Sequence, residues 1–227
     1  MNVLSMKGLQ NQRKEIMMRK LILEFGSGET NTNWAEVKRM LDDILLYRTG
    51  NKELIVKFQL FSNIPGLQPL DDELFFKAYG YCQDNDLECT ASVFDIQALN
   101  QLLRFDPDYI KIACRPHLYN MINLIPKWVT IIASFSSIEE YIKVKQRFHE
   151  HKIIPLWCVA KYPAIARHYE DEFNTHLHES ISDHTESLEL HNKYQPKVYE
   201  RHICYRHGNK PDNSAYASTI EEIKELL

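Results

Sequence analysis

Eight short runs rich in β-branched and aromatic residues, several of them almost continuously apolar, constrain this chain more than any other feature. They read "LILEF" (21–25), "ELIVKF" (53–58), "LECTAS" (87–92), "YIKIAC" (109–114), "WVTIIAS" (128–134), "IIPLWC" (153–158), "ESIS" (179–182) and "KVYERHI" (197–203). Runs without polar alternation suit strands buried on both faces, which is the condition of a parallel sheet covered by helices. The segments between them carry helical spacing. "NWAEVKRMLDDILLY" (33–47) puts Trp34, Val37, Leu41, Ile44 and Leu45 on one stripe, and 71–84, 95–105, 137–150 and 218–227 follow the same pattern. Asp71 and Ser136 or Ser137 are suitable N-caps. Strand alternating with helix predicts βα units. Eight units in 227 residues predict an α/β fold, a single-domain (β/α)8 TIM barrel over 21–227 preceded by a lead-in over 1–20. An open doubly wound sheet is the competing architecture, but "FGSGET" (25–30) is too short a glycine pattern for a dinucleotide fingerprint.

Charge and cysteine usage narrow the function classes. A net charge of -4 offers no footprint for nucleic acid or an anionic membrane, so neither is expected as a partner. No apolar stretch approaches the length of a membrane span. The start, basic but without an apolar core, does not read as a secretion signal, and Met17 or Met18 is an alternative first residue. Cys82, Cys89, Cys114, Cys158 and Cys204 are scattered, odd in number and free of C-x-x-C pairs. That pattern argues for a reducing, cytoplasmic setting with most thiols as small buried hydrophobes.

A barrel gathers its chemistry where strands end. The polar residues ending the strand runs are Glu24 and Glu29, Lys57 and Gln59, Ser92, Lys111, Ser134, Tyr162, Ser182 with His184, and Glu200 with His202. This inventory suits an anionic, phosphorylated substrate and a metal. His184 and His202 belong to neighbouring strands, so their ends should meet, and imidazole suits Mn, Fe, Co or Zn. Asp183 is a candidate acceptor for a ring N–H. Taken singly, each histidine reads as a surface or capping residue, and the rival pair His176 and His178 reads as a solvated loop. Lys57 and Lys111 sit in apolar runs where an unpaired ammonium is costly. They are either ion-paired with Glu24 or Glu200 across the interior, or a phosphate or carboxylate clamp helped by Ser92, Ser134 and Ser182. Schiff-base chemistry through either lysine is a third reading. Glu24 and Glu29 bracket the first loop as a general base or as lysine partners. Asp212, in the turn "NKPDNS" (209–214), follows the eighth strand.

The ordered set "VKFQLF", "TASVFD", "YIKIAC", "IIAS", "CVAKYP", "ISDHT", "YERH" and "KPD" resembles the sialic acid synthase family, the phosphoenolpyruvate-dependent synthases of nonulosonic acids. "SDHT" followed by "ERH" is its most specific part, and the likeness runs from about Leu21 to Leu227. The resemblance implies a (β/α)8 barrel and a metal-dependent, carbon–carbon condensing transferase. Its substrates would be phosphoenolpyruvate and the open-chain aldehyde of an acetamido sugar. It implies His184 and His202 as ligands of a divalent metal, Mn or Mg, and Lys57, Ser92, Lys111, Ser134, Tyr162 and Ser182 as phosphoenolpyruvate contacts. Asp212 would face the sugar, and Glu29, with Glu24, would handle protons. The pattern also departs from the family. "FGSGETN" stands for its Asn-His-Glu-Gly loop, Ser92 for threonine, Cys114 for serine, Ala160 for asparagine, "SFSS" for Ser-Thr-Gly-Met, and "CRPH" for a small-plus-Glu turn. A short form without the C-terminal antifreeze-like domain is expected, with a different or smaller acceptor or a companion protein that supplies the missing surface; the expected partner is a homodimer mate or a companion subunit. A repurposed, non-catalytic sugar- or phosphate-binding barrel acting as a partner subunit is the alternative function.

Overall fold

In the computed structural model, which describes residues 20–227, all eight strands form and close in sequence order into one parallel barrel. They are β1 (Lys20–Gly26), β2 (Glu53–Leu60), β3 (Glu88–Val93), β4 (Tyr109–Ile112), β5 (Thr130–Phe135), β6 (Ile153–Cys158), β7 (Ser180–Asp183) and β8 (Val198–His202). β1 pairs with β8 through Ile22 opposite Glu200 and Glu24 opposite His202, which closes the ring. The expected lead-in over 1–20 lies outside the described residues except for Lys20, which already belongs to β1.

Around the barrel run α1 (Trp34–Tyr47), α2 (Asp72–Asp84), α3 (Ile96–Leu103), α4 (Ile138–Arg147), α5 (Ala166–Phe173), α6 (Glu189–Tyr194) and α7 (Ile220–Ile223). Their starts are fixed locally: Asn33, Asp71, Asp95 and Ser137 each accept a hydrogen bond from a first-turn N–H. Ser137, not Ser136, is the cap of α4. After β4 a 3-10 helix, Pro116–Leu124, takes the place of an α-helix.

Period-two alternation sorts each strand into two faces. Leu21, Leu23 and Phe25 on β1 and Val56, Phe58 and Leu60 on β2 face the helices and join one continuous core with them. The inward residues change character along the axis. Near the N-terminal ends, Lys20 bonds to Tyr109 at 2.8 Å and pairs with Glu53. Above them Ile22, Ile55, Ile132 and Leu156 form a dry plug with no solvent exposure. Burial of each such side chain contributes about 2 kcal/mol. Toward the C-terminal ends the interior turns abruptly polar, with Glu24, Lys57, Ser92, Lys111, Ser134, Ser182, Glu200 and His202 all buried. A folded chain tolerates that only if those groups satisfy one another or await a ligand.

Candidate active site

This polar layer is the floor of a cavity of about 700 Å³ that opens at the C-terminal ends of the strands. Eleven of the residues singled out by sequence line it: Glu24, Glu29, Lys57, Ser92, Lys111, Ser134, Tyr162, Ser182, His184, His202 and Asp212. The rival histidine His176 instead ends a short 3-10 helix (Asn174–His176), half-buried and 3.4 Å from Glu179.

The two lysines are both clamped and paired, so the two sequence readings are not exclusive. Lys57 contacts Glu24, lies 3.3 Å from Glu200, and donates to Ser92 Oγ at 3.0 Å. Lys111 lies 3.1 Å from Glu200, which also accepts the Ser182 hydroxyl at 2.6 Å. Glu200 therefore bridges the lysines of β2 and β4 from β8. Burial acts to raise its pKa, but the ammonium groups of Lys111 and Lys57 and the Ser182 hydroxyl hold the carboxyl well below the usual range. Burial pushes Lys57 down to about 7, with Glu200 pulling the other way. Direct contact with the Glu24 carboxylate also favours the ammonium form. Ser134 Oγ, on the neighbouring strand β5, is buried without a hydrogen-bond partner among the described residues.

His184 and His202 meet as their placement on β7 and β8 requires, with ring centroids 5.3 Å apart. Burial lowers the His184 pKa to about 4, partly opposed by its bond to Val159, and burial and the neighbouring His184 hold His202 well below its usual value. Both imidazoles are thus neutral at pH 7, the form that binds a metal. The Nδ1–H of His184 faces the Val159 carbonyl at 2.9 Å, which leaves Nε2 as the acceptor nitrogen. His202 Nδ1 is buried with no partner among the described residues, an acceptor suited to a ligand. The donor set fits a divalent cation held by two nitrogens, with its remaining positions open to water or substrate oxygen. No group of three or more His, Cys, Asp or Glu suitable for a metal occurs among the described residues.

Asp183 is not the acceptor for a ring N–H. Its side chain points outward, where it is fully buried and accepts from Tyr199 Oη at 2.6 Å and from Thr185 N and Oγ1 at 2.8 Å. The reason is strand alternation: the residue between inward Ser182 and inward His184 must face the helices. Two supports escaped sequence reasoning. Tyr169, on α5, donates to the Ser182 carbonyl at 2.6 Å and accepts from His184 N–H at 3.1 Å. Arg201, 1% exposed, donates to the Thr185 carbonyl at 2.7 Å and to Ser218 Oγ at 3.0 Å, and lies 3.6 Å from Asp183. The signal for Arg201 was present as a charge inside the apolar run "KVYERHI".

The glycine loop after β1 is also built for the site. Gly26 has φ +81°, and a side chain there would collide with the Asp212 carboxyl. Only glycine admits both that conformation and that approach. Ser27 then donates to Asp212 Oδ2 from its N–H at 2.9 Å and its hydroxyl at 3.1 Å. Burial raises the Asp212 pKa. Glu29 stands at the rim and accepts from Gln68 N–H at 2.7 Å. The Tyr162 ring packs 4.3 Å from the His184 ring and 6.2 Å from the His202 ring.

Among known proteins, the model of the NeuB family matches residues 66–227. The chain shares its fold with the N-acetylneuraminic acid (sialic acid) synthetase from Leptospira borgpetersenii serovar Hardjo-bovis, solved in complex with citrate. The two are 19% identical over 91% of this chain and 80% of that one, with a TM-score of 0.73. The spore coat polysaccharide biosynthesis protein spsE from Bacillus subtilis is also similar, at 19% identity over 92% of this chain and 66% of that one, with a TM-score of 0.67. Phospho-2-dehydro-3-deoxyheptonate aldolase (DAHP synthase) from Thermotoga maritima is 10% identical, over 92% and 67%, with a TM-score of 0.61. At these identities the likeness is one of fold. No curated protein matches the chain significantly.

Proposed function

The chain belongs to the NeuB family, and from that premise we propose that it condenses phosphoenolpyruvate with the open-chain aldehyde of an acetamido sugar to give a nonulosonic acid and inorganic phosphate. The observation that carries this reading is the facing pair His184 and His202, 5.3 Å apart, across a shared cavity from Lys57 and Lys111. The scattered, unpaired cysteines fit a reducing, cytoplasmic setting.

Each group then has a task. Lys57 and Lys111, with Ser92, Ser134 and Ser182, receive the anionic enol, Ser134 offering a hydroxyl with no other partner among the described residues. Glu200 keeps both ammonium groups oriented when the substrate is absent. His184 and His202 would hold Mn or Mg, which would supply Lewis-acid polarisation of the aldehyde oxygen. The enol methylene carbon forms its bond to the aldehyde carbon, which leaves the adjacent phosphate-bearing carbon cationic, and the aldehyde oxygen takes a proton. Water then adds to that phosphate-bearing carbon with Glu24 or Glu29 receiving its proton, and the carbon–oxygen bond to phosphate breaks to leave a 2-keto acid and inorganic phosphate. Asp212 orients the sugar hydroxyls while Ser27 holds its carboxylate in place.

A phosphate-release assay with phosphoenolpyruvate, manganese and a panel of acetamido sugars tests the reading. Release that depends on one sugar and falls by more than about a hundredfold in His202→Ala is expected, the size of loss seen when such a charge-stabilising group is removed. Ligand binding without turnover for any sugar would instead favour a non-catalytic barrel. Trapping of a borohydride-reduced adduct on Lys57 or Lys111 would favour the imine route.

A further inference from the structure

The charges of the cavity do not pair off completely. Lys57 is engaged by Glu24 and Glu200, and Lys111 by Glu200. Asp212 is taken by Ser27, and Glu29 by the Gln68 N–H. Arg115, which also lines the cavity, makes no ion pair with any described residue. It is nevertheless held in place. Its guanidinium lies 5.2 Å from the centroid of the Phe94 ring, and Phe94 is packed edge-on against Phe61 at 6.1 Å. Its backbone N–H donates to the Ala113 carbonyl at 2.7 Å, and Pro116 follows at the start of the 3-10 helix. A guanidinium stacked on an aromatic face keeps its N–H fork free at the edge, a geometry that suits two oxygens of one phosphate.

Depth decides which anion it receives. Lys57 and Lys111 lie on the buried floor, directly above the apolar plug, while Arg115 is exposed at the rim. A compact carboxylate fits the floor, and a bulkier dianion that must depart into water fits the rim. We infer that Arg115 is a further binding residue of this site, a rim fork that takes a phosphate group, first as part of the substrate and then as inorganic phosphate. The inference rests on the function proposed above but concerns a residue that the family pattern does not assign.

Calorimetric titration of the whole chain with inorganic phosphate, and separately with pyruvate as a carboxylate-only probe, tests it without requiring turnover. Arg115→Ala should weaken phosphate binding about tenfold and change pyruvate binding by less than about twofold; Arg115→Lys, which keeps the charge but not the fork, should fall between. Lys77→Ala removes a positive charge from the outer face of α2 and should leave both affinities unchanged. Phosphate affinity unaltered in Arg115→Ala, or an equal loss for both probes, overturns the inference. If the protein turns over phosphoenolpyruvate while Arg115→Ala keeps the wild-type KM for it, the fork fails and the synthase reading stands. If no sugar supports turnover but phosphate binding needs Arg115, the synthase reading fails and the fork stands.

Discussion

Glu200 holds two like charges of the barrel floor apart from each other's repulsion. It is 3% exposed, and it touches Lys57 and Lys111 from a strand adjacent to neither. Removing one member of a buried charge cluster leaves the others unpaired, at a cost of about 3–5 kcal/mol. Glu200→Ala should lose that much in urea unfolding, while a loss below about 1 kcal/mol would mean that Glu24 alone neutralises both lysines. Glu88, at the start of β3, behaves in the opposite sense. Burial, with Asp108 and Glu53 nearby, raises its pKa from 4.5 to about 7. A carboxyl that binds its proton more tightly when folded contributes a penalty that is absent below the unfolded value of 4.5, grows as pH rises, and is complete above about 7. Glu88→Gln should therefore stabilise the protein at pH 8 by about 1 kcal/mol, allowing for screening of a partly exposed group, and by almost nothing at pH 4.5. Thermal melts of both proteins across that range give the answer; a gain that is constant with pH would assign the effect to packing.

At the scale of elements, the histidine-bearing strands depend on what lies behind them. β7 is only four residues long, and its end is held by the Tyr169 hydroxyl, which bridges the Ser182 carbonyl and the His184 N–H. Tyr169→Phe should cost about 2 kcal/mol, because it leaves a buried donor and a buried acceptor unmet. It should also weaken manganese binding, read by the resonance of the free ion, whereas a purely structural tyrosine would lower stability and leave metal affinity intact. The strands themselves were legible in the sequence because they are buried on both faces, so that several carry almost continuous apolar runs; "IIPLWC" matches β6 residue for residue. The helices α1 to α4 were legible through their stripes and caps. Shorter elements were not. The turn opened by Pro116 forms a 3-10 helix, and α5 and α6, at eight and six residues, are too short to show a period above the noise of their charged residues.

For the molecule as a whole, the list of cavity residues could be read from strand ends alone, since a parallel barrel must bring them to one mouth. Their division of labour could not. Whether Lys57 meets Glu24, Glu200 or a substrate depends on distances across the barrel, which no local pattern encodes. The outward turn of Asp183 is legible from strand parity, since it lies between the inward Ser182 and His184. The close approach of Gly26 to Asp212 joins the first strand to the loop after the last, a closure visible only in three dimensions. On the proposed function, this closed ring forms a new carbon–carbon bond at its mouth. Incubation with manganese, a reactive acetamido sugar and phosphoenolpyruvate labelled with carbon-13 at the enol methylene tests that bond. The label is expected in a sugar acid, coupled by NMR to the former aldehyde carbon, with one phosphate released per product and none of it formed by His202→Ala. Label recovered only in pyruvate, or product formed equally by His202→Ala, would contradict it.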